Sequence, residues 1–198
     1  MINNIPQHIL DIYKRFEEAG FAIYFVGGCV RDILSKRPLK DWDLTTNATP
    51  EQMLELFPDG YYDNEFGTVG IPLADITEEE HQGVVEVTTF RTEQGYADRR
   101  HPEKVEWGET VEEDLSRRDF TVNALIAYIH DLNIIDLVGA FEDIKNKEIR
   151  TFHDNSFIDD PTRIFRAVRF AAKLNYKFEK NTFELIRAAC RNAHYPEW

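Results

Sequence analysis

An apolar run, Phe21 to Val26, is fenced by Gly20 on one side and by Gly27-Gly28 on the other. A run this short between glycines reads as a buried strand. The glycine pair permits a tight turn and a close backbone approach, so the chain passes directly into a helix over Val30 to Ser35. Asp41 to Leu44 then reads as a second strand. Side chains two apart on a strand share a face, so Asp41 and Asp43 project together while Trp42 turns into the core. A strand–turn–helix–strand opening of this kind constrains the chain to a mixed α/β architecture.

The same segment carries chemistry. Two carboxylates held close together repel, and a divalent cation relieves the repulsion. Magnesium in phosphoryl-transfer sites is held by one or two carboxylates plus substrate phosphates. A glycine pair opening a helix suits a phosphate, because bare backbone N–H groups approach the anion. Arg31 adds a forked donor for phosphate or carboxylate, with Asp32 placed to hold Arg31 or a neighbouring backbone group. Gly27, Gly28 and Arg31 thus offer a triphosphate seat beside a metal clamp. The Asp-x-Asp alone is weak, since surface strands carry it by chance. Together the features point to nucleotidyl transfer.

The remaining pattern alternates. Residues 6–19 form an amphipathic helix stopped by Gly20. Thr49 caps a helix with Pro50 at its first position, running to about Phe57. Thr68 to Leu73 and Val84 to Phe90 alternate as strands around an acidic turn at Glu78-Glu79-Glu80. Residues 91–110 are polar, with Gly95, Pro102 and Gly108, and read as a long loop. Residues 111–117 and 120–129 read as two short helices, followed by a short strand at Asn133 to Leu137. A short helix over Phe141 to Asn146 and an extended piece over Ile149 to Phe152 come next. Helices over Asp160 to Leu174 and Thr182 to Arg191 follow. The division falls near residue 150: a mixed α/β part over 1–150 and a helical part over 151–198.

The net charge of −13 argues against a chain that is basic throughout. A global charge does not exclude a local basic strip, and arginine clusters in the middle and towards the end. The sequence has no apolar run long enough to span a bilayer, and its first residues lack the features of a signal peptide. Cys29 and Cys190 have no metal-ligand spacing, so free thiols in a cytoplasmic protein are expected.

Three further constellations bear on function. Glu86 lies between valines in Val84-Val85-Glu86-Val87. It is either a third acid at the site, if its strand neighbours that of Asp41 and Asp43, or a surface-facing acid. Arg117-Arg118-Asp119, with Asn123, is either a salt-bridged helix junction or a set of groups for phosphate and ribose. Asp159-Asp160-Pro161-Thr162-Arg163 precedes Arg166 and Arg169 on one helix. Asp160 and Arg163 form either a structural bridge or an acceptor–donor pair for a base edge.

In this order, Gly27-Gly28-Cys29-Val30-Arg31-Asp32, Asp41-Trp42-Asp43, Arg117-Arg118-Asp119-Phe120-Thr121-Val122-Asn123-Ala124 and Asp160-Pro161-Thr162-Arg163-Ile164-Phe165-Arg166-Ala167-Val168-Arg169-Phe170 resemble the class II tRNA nucleotidyltransferases and bacterial poly(A) polymerases. The match covers Phe21 to about residue 180. It implies a polymerase-beta-like head with a mixed sheet followed by an all-helical neck. It implies CMP and AMP addition to the 3′ end of tRNA, from CTP and ATP with Mg2+, by two-metal phosphoryl transfer without a template. A poly(A) polymerase, or a non-catalytic nucleotide-binding fragment, is the alternative. Carried over, Gly28 and Arg31 meet the triphosphate, and Asp41 and Asp43 hold metal. Arg118 and Asp119 sit near the ribose. Asp160 and Arg163 pair with the incoming base, and Arg166 and Arg169 also contact nucleotide. The family's base-reading motif begins with Glu where this chain has Asp159. The loop at 91–110 is implied to re-orient the site between C and A addition. Family members continue through further neck, body and tail helices that grip tRNA, whereas this sequence ends at Trp198. On the resemblance, the RNA-gripping surface lies beyond it, which accounts for the acidic balance.

Overall fold

The computed structural model describes residues 5–39, 41–64, 67–73, 83–94, 104–108, 110–130 and 133–192. The acidic turn at 78–80 and residues 95–103 of the expected loop lie outside them. The elements are α1 (Gln7–Glu18), β1 (Ile23–Val26), α2 (Gly28–Leu34), β2 (Asp43–Thr46), α3 (Pro50–Leu56), β3 (Tyr61–Asn64), β4 (Thr68–Pro72) and β5 (Val84–Thr89). There follow β6 (Arg91–Gln94), β7 (Lys104–Trp107), α4 (Val111–Ser116), β8 (Ile126–Ala127), β9 (Ile134–Ile135), α5 (Ala140–Asn146) and β10 (Glu148–Ile149). The last part holds α6 (Ser156–Asp159), α7 (Thr162–Leu174), β11 (Lys177–Phe178) and α8 (Lys180–Asn192).

Among the described residues the main sheet has seven strands in the order β3-β4-β5-β2-β1-β8-β9. β2 and β5 run parallel and the other neighbours antiparallel, so the sheet is mixed. Ile9, Ile12 and Phe16 of α1 pack with Met53 of α3 against Ile23, Phe25, Leu44, Val69, Ile71, Val85 and Val87 on one sheet face. α1 is amphipathic as its spacing requires, and it ends at Gly20, whose φ of 82° lies in the left-handed region. Thr49 caps α3 in a reciprocal box with Gln52, with Pro50 at the first position. The opposite sheet face is covered near β1 and β8, where Val111 and Leu115 of α4 meet Val26, Phe90 and Ile126. Over β2, β5 and β4 that face carries Asp43, Thr45, Glu86, Thr88, Thr68 and Gly70.

Three expectations are corrected and one strand is added. Residues 120–129 are not a helix but a 3-10 turn, Thr121–Asn123, running into β8. Phe120, Val122, Leu125, Ile126 and Ala127 are all fully buried. A segment with no polar face has no solvent side for a surface helix, and Ile126 instead pairs with Val26 of β1. The region 91–110 is not loop throughout, because β6 and β7 pair as an antiparallel ribbon with Arg91 opposite Trp107. A polar two-stranded ribbon lacks the apolar alternation by which strands are read. The second strand begins at Asp43, so Asp41 stands just before it. β3 was not anticipated, being a short strand at the edge of the sheet.

The helical part has its own core. Phe157, Ile164, Ala167, Leu174, Tyr176 and Ile186 pack with Phe120, Val122 and Ile149, so this core draws on both sides of residue 150. β10 and β11 add a short parallel pair that joins Glu148 to Lys177 and Ile149 to Phe178.

Candidate active site

The site is built on the turn between β1 and α2. Gly27 adopts φ 72°, and its N–H donates to the Leu125 carbonyl at 2.9 Å, which ties the turn to the segment before β8. A Cβ on Gly28 would stand 3.5 Å from both Arg31 Nη2 and Asp43 Oδ2. The Gly28 backbone thus lies where a cationic and an anionic side chain converge. Arg31 is buried, and three of its five N–H groups are engaged. Its Nε and Nη2 donate to the two carboxylate oxygens of Asp32 at 2.9 and 3.0 Å, and its Nη1 donates to Asn123 Oδ1. A buried guanidinium is tolerable only when so paired.

Burial raises the pKa of Asp43, and Asp41 and Asp32 push it the same way, against the opposing pull of Arg118 and Arg31. A carboxylate in this position gains from an added cation. Glu86 is the register partner of Asp43 across the β2–β5 pair, so its strand does neighbour that of the two aspartates. Glu86 is exposed and does not line the adjoining cavity.

At the end of α4 one acid orients two arginines. Asp114 is fully buried and accepts from Arg117 Nη2 at 2.6 Å and from Arg118 Nη2 at 2.8 Å. Burial alone would raise its pKa, but the two guanidiniums outweigh that and hold it below the usual carboxylate range. Asp119 receives Arg166 through Nε at 2.7 Å and Nη2 at 2.6 Å, which locks the α4 end to α7. The junction reading of Arg117-Arg118-Asp119 is therefore correct as structure. It does not exclude a ligand, because Arg118 Nε is buried with no hydrogen-bond partner among the described residues.

Just before α7, Asp160 Oδ1 accepts from the Thr162 N–H at 2.9 Å and from its hydroxyl at 2.6 Å. Its Oδ2 lies 3.8 Å from Arg163 Nε, an ion pair but too long for a hydrogen bond. Arg163 is buried, and its Nη1 donates to Ser156 Oγ at 2.8 Å. The Phe170 ring centroid lies 5.9, 5.6 and 5.3 Å from the guanidinium carbons of Arg31, Arg166 and Arg169.

These groups face one cavity of about 810 Å³. It brings together Gly27, Gly28, Arg31, Asp32, Asp41, Asp43, Arg117, Arg118, Asp119, Asn123, Asp160, Arg163, Arg166 and Arg169. Asp159 is not among its lining residues; its Oδ2 stands 3.9 Å from His153 Nδ1. Arg37, Lys173 and Phe170 also line it and were not singled out from sequence. Asp114 was missed as well, although its spacing of three and four residues from the two arginines is the helical ion-pair spacing. Arg37 left no comparable signal. Among the described residues no group of three or more His, Cys, Asp or Glu forms a metal cage. Asp41 and Asp43 put two carboxylates, an oxygen-only donor set, on the cavity that Gly28 and Arg31 also line, and this donor set suits Mg2+ shared with phosphate oxygens.

Comparison with known proteins agrees with this geometry. Residues 23–150 match the model of the poly A polymerase head domain. The CCA-adding enzyme of Streptococcus uberis is 42% identical over 183 residues, which cover 91% of this chain and 44% of that protein. That of Lactobacillus helveticus is 41% identical over 180 residues, covering 90% of this chain and 43% of that protein. The crystal structure of the Bacillus stearothermophilus CCA-adding enzyme in complex with CTP superposes with a TM-score of 0.79 at 35% identity, over 91% of this chain and 42% of that one. A tRNA nucleotidyltransferase complexed with a primer tRNA and an incoming ATP analogue gives a TM-score of 0.72 at 34% identity, over 91% of this chain and 50% of that one. The chain thus spans less than half the length of the curated relatives it matches. With the strand–glycine turn, the paired aspartates and the arginine-rich helix on one cavity, and a matching model over most of its length, the chain belongs to the poly A polymerase head domain family.

Proposed function

We propose that this chain is the catalytic part of a template-independent nucleotidyltransferase that adds CMP and AMP to the 3′ end of tRNA, with CTP and ATP as substrates. One observation carries this reading: a single cavity holds the Asp41–Asp43 pair, the Gly28–Arg31 turn and the Asp160–Arg163 pair. Its similarity to CCA-adding enzymes supports it.

In this reading Gly28 and Arg31 receive the triphosphate. Arg118, whose Nε has no partner among the described residues, donates through its guanidinium to a phosphate or ribose oxygen, and Asp119 lies beside the ribose. Asp41 and Asp43 would hold Mg2+, which would supply positive charge for the phosphoryl group and favour deprotonation of the attacking hydroxyl. Glu86 is a third acid, the register partner of Asp43 on the neighbouring strand. The Oδ2 of Asp160 accepts from the exocyclic amino group that C and A share, and Arg163 donates to the neighbouring ring nitrogen or carbonyl. Arg166 and Arg169 complete the cationic wall. The division near residue 150 separates the transfer part from the base-reading part. We infer a cytoplasmic location, supported by two free cysteines. Among the described residues no helix is long and apolar enough to cross a membrane.

Incubation with labelled CTP or ATP, Mg2+ and tRNAs ending before C, after C and after CC tests the proposal. Label transferred to the 3′ end is the expected result. Nucleotide binding without transfer on any of the three would overturn it in favour of a non-catalytic module.

A further inference from the structure

The cavity lies to one side of Asp43, towards β1, β8 and α7. On the other side the sheet face continues across β5, β4 and β3. Register aligns a row there: Asp43 is opposite Glu86, Glu86 opposite Gly70, and Gly70 opposite Tyr61. Register partners on neighbouring strands project to the same face. Tyr61 does not point off the edge of the sheet but folds back over Gly70, where an added Cβ would stand 2.6 Å from its Cζ and 2.9 Å from its Oη. Glycine inside a strand marks such a close approach. The residue stays 46% exposed even so. Between it and Asp43 the row holds only the side chain of Glu86. A partly exposed aromatic ring over β4 thus lies about two strand spacings, ~10 Å, from Asp43.

In-line displacement puts the attacking hydroxyl and the leaving pyrophosphate on opposite sides of the phosphorus. With the triphosphate at Gly28 and Arg31, the hydroxyl arrives from the β5 side, along this row. We propose that Tyr61 is the stacking platform for the 3′-terminal base of the acceptor RNA, which it orients so that the hydroxyl reaches Asp43. A base presents an uncharged π-face, so stacking is compatible with the acidic row beneath it, and it is tolerant of sequence. The inference rests on the proposed transfer activity.

A short RNA carrying 5-iodocytidine at its 3′ end, irradiated on the protein, should cross-link to Tyr61. Tyr61→Ala should abolish that cross-link and raise the KM for RNA about tenfold, with the KM for CTP unmoved. Tyr61→Phe should restore the RNA KM. Gly70→Val, which lifts the ring, should reproduce the alanine effect. A cross-link mapped elsewhere, or an RNA KM unchanged in Tyr61→Ala, would overturn the platform, as would failure of the wild type to bind the RNA. A Tyr61 cross-link in a protein that adds no nucleotide would leave the platform standing and refute the transfer activity.

Discussion

Asp43 on β2 and Glu86 on β5 are register partners across the parallel pair of the main sheet, with Asp41 just before β2 on the same cavity as Asp43. Residues separated by more than forty positions are thereby fixed one strand spacing apart. If Asp41 and Asp43 hold the cation, Asp43→Asn and Asp41→Ala each lower incorporation about a thousandfold or more, since a bound cation supplies several kcal/mol to the transition state. Thermal unfolding of both variants near the wild-type temperature shows that the loss is chemical. Substantial incorporation by both folded variants would remove them from the mechanism.

Asp160 has two jobs that one substitution can separate. Its Oδ1 caps the start of α7 through Thr162, its Oδ2 lies towards Arg163, and both residues line the cavity. Asp160→Asn can keep the cap with its amide oxygen while turning an N–H donor towards the base. We expect selection to move by about tenfold or more towards UTP and GTP, whose carbonyls accept where C and A donate. Competition assays with all four triphosphates measure this. An unchanged preference would confine Asp160 to capping.

Asp114 links stability to pH. Its folded pKa is depressed, so its contribution is fully present above the unfolded value of about 3.9 and is lost as pH falls through the folded value. Wild-type stability to urea should therefore decline on acidification below about pH 4 with the uptake of this proton. In Asp114→Asn the decline should be shallower by one proton, and stability near pH 7 lower, because two arginines lose their partner charge. Parallel acid limbs for the two proteins would refute this assignment.

The two cysteines should behave oppositely. Cys29 is buried and its thiol is pushed up to about 12, chiefly by burial, whereas Cys190 is exposed. Iodoacetamide at mildly alkaline pH should modify Cys190 in the folded protein and reach Cys29 only after denaturation. Peptide mapping decides between this and equal labelling of both.

The strand–glycine turn–helix, the Asp-x-Asp and the arginines of α7 could be read directly from the chain, because each depends on residues close in sequence and on the short periods of strand and helix. The capped start of α3 at Thr49-Pro50 was equally local. The segment 120–129 went wrong because an apolar stretch cannot declare its period, and pairing with β1 decided it. Both readings of Arg117-Arg118-Asp119 stayed open in sequence. Only the fold showed that Asp114 and Arg166 fix this cluster while Arg118 Nε is left over. Similarly, Arg31 meets Asn123 and Tyr61 lies over Gly70 through contacts between strands and turns. The residue types for the chemistry were written locally. Their convergence on one cavity depended on strand order and register, which arise from packing distant segments into a shared core.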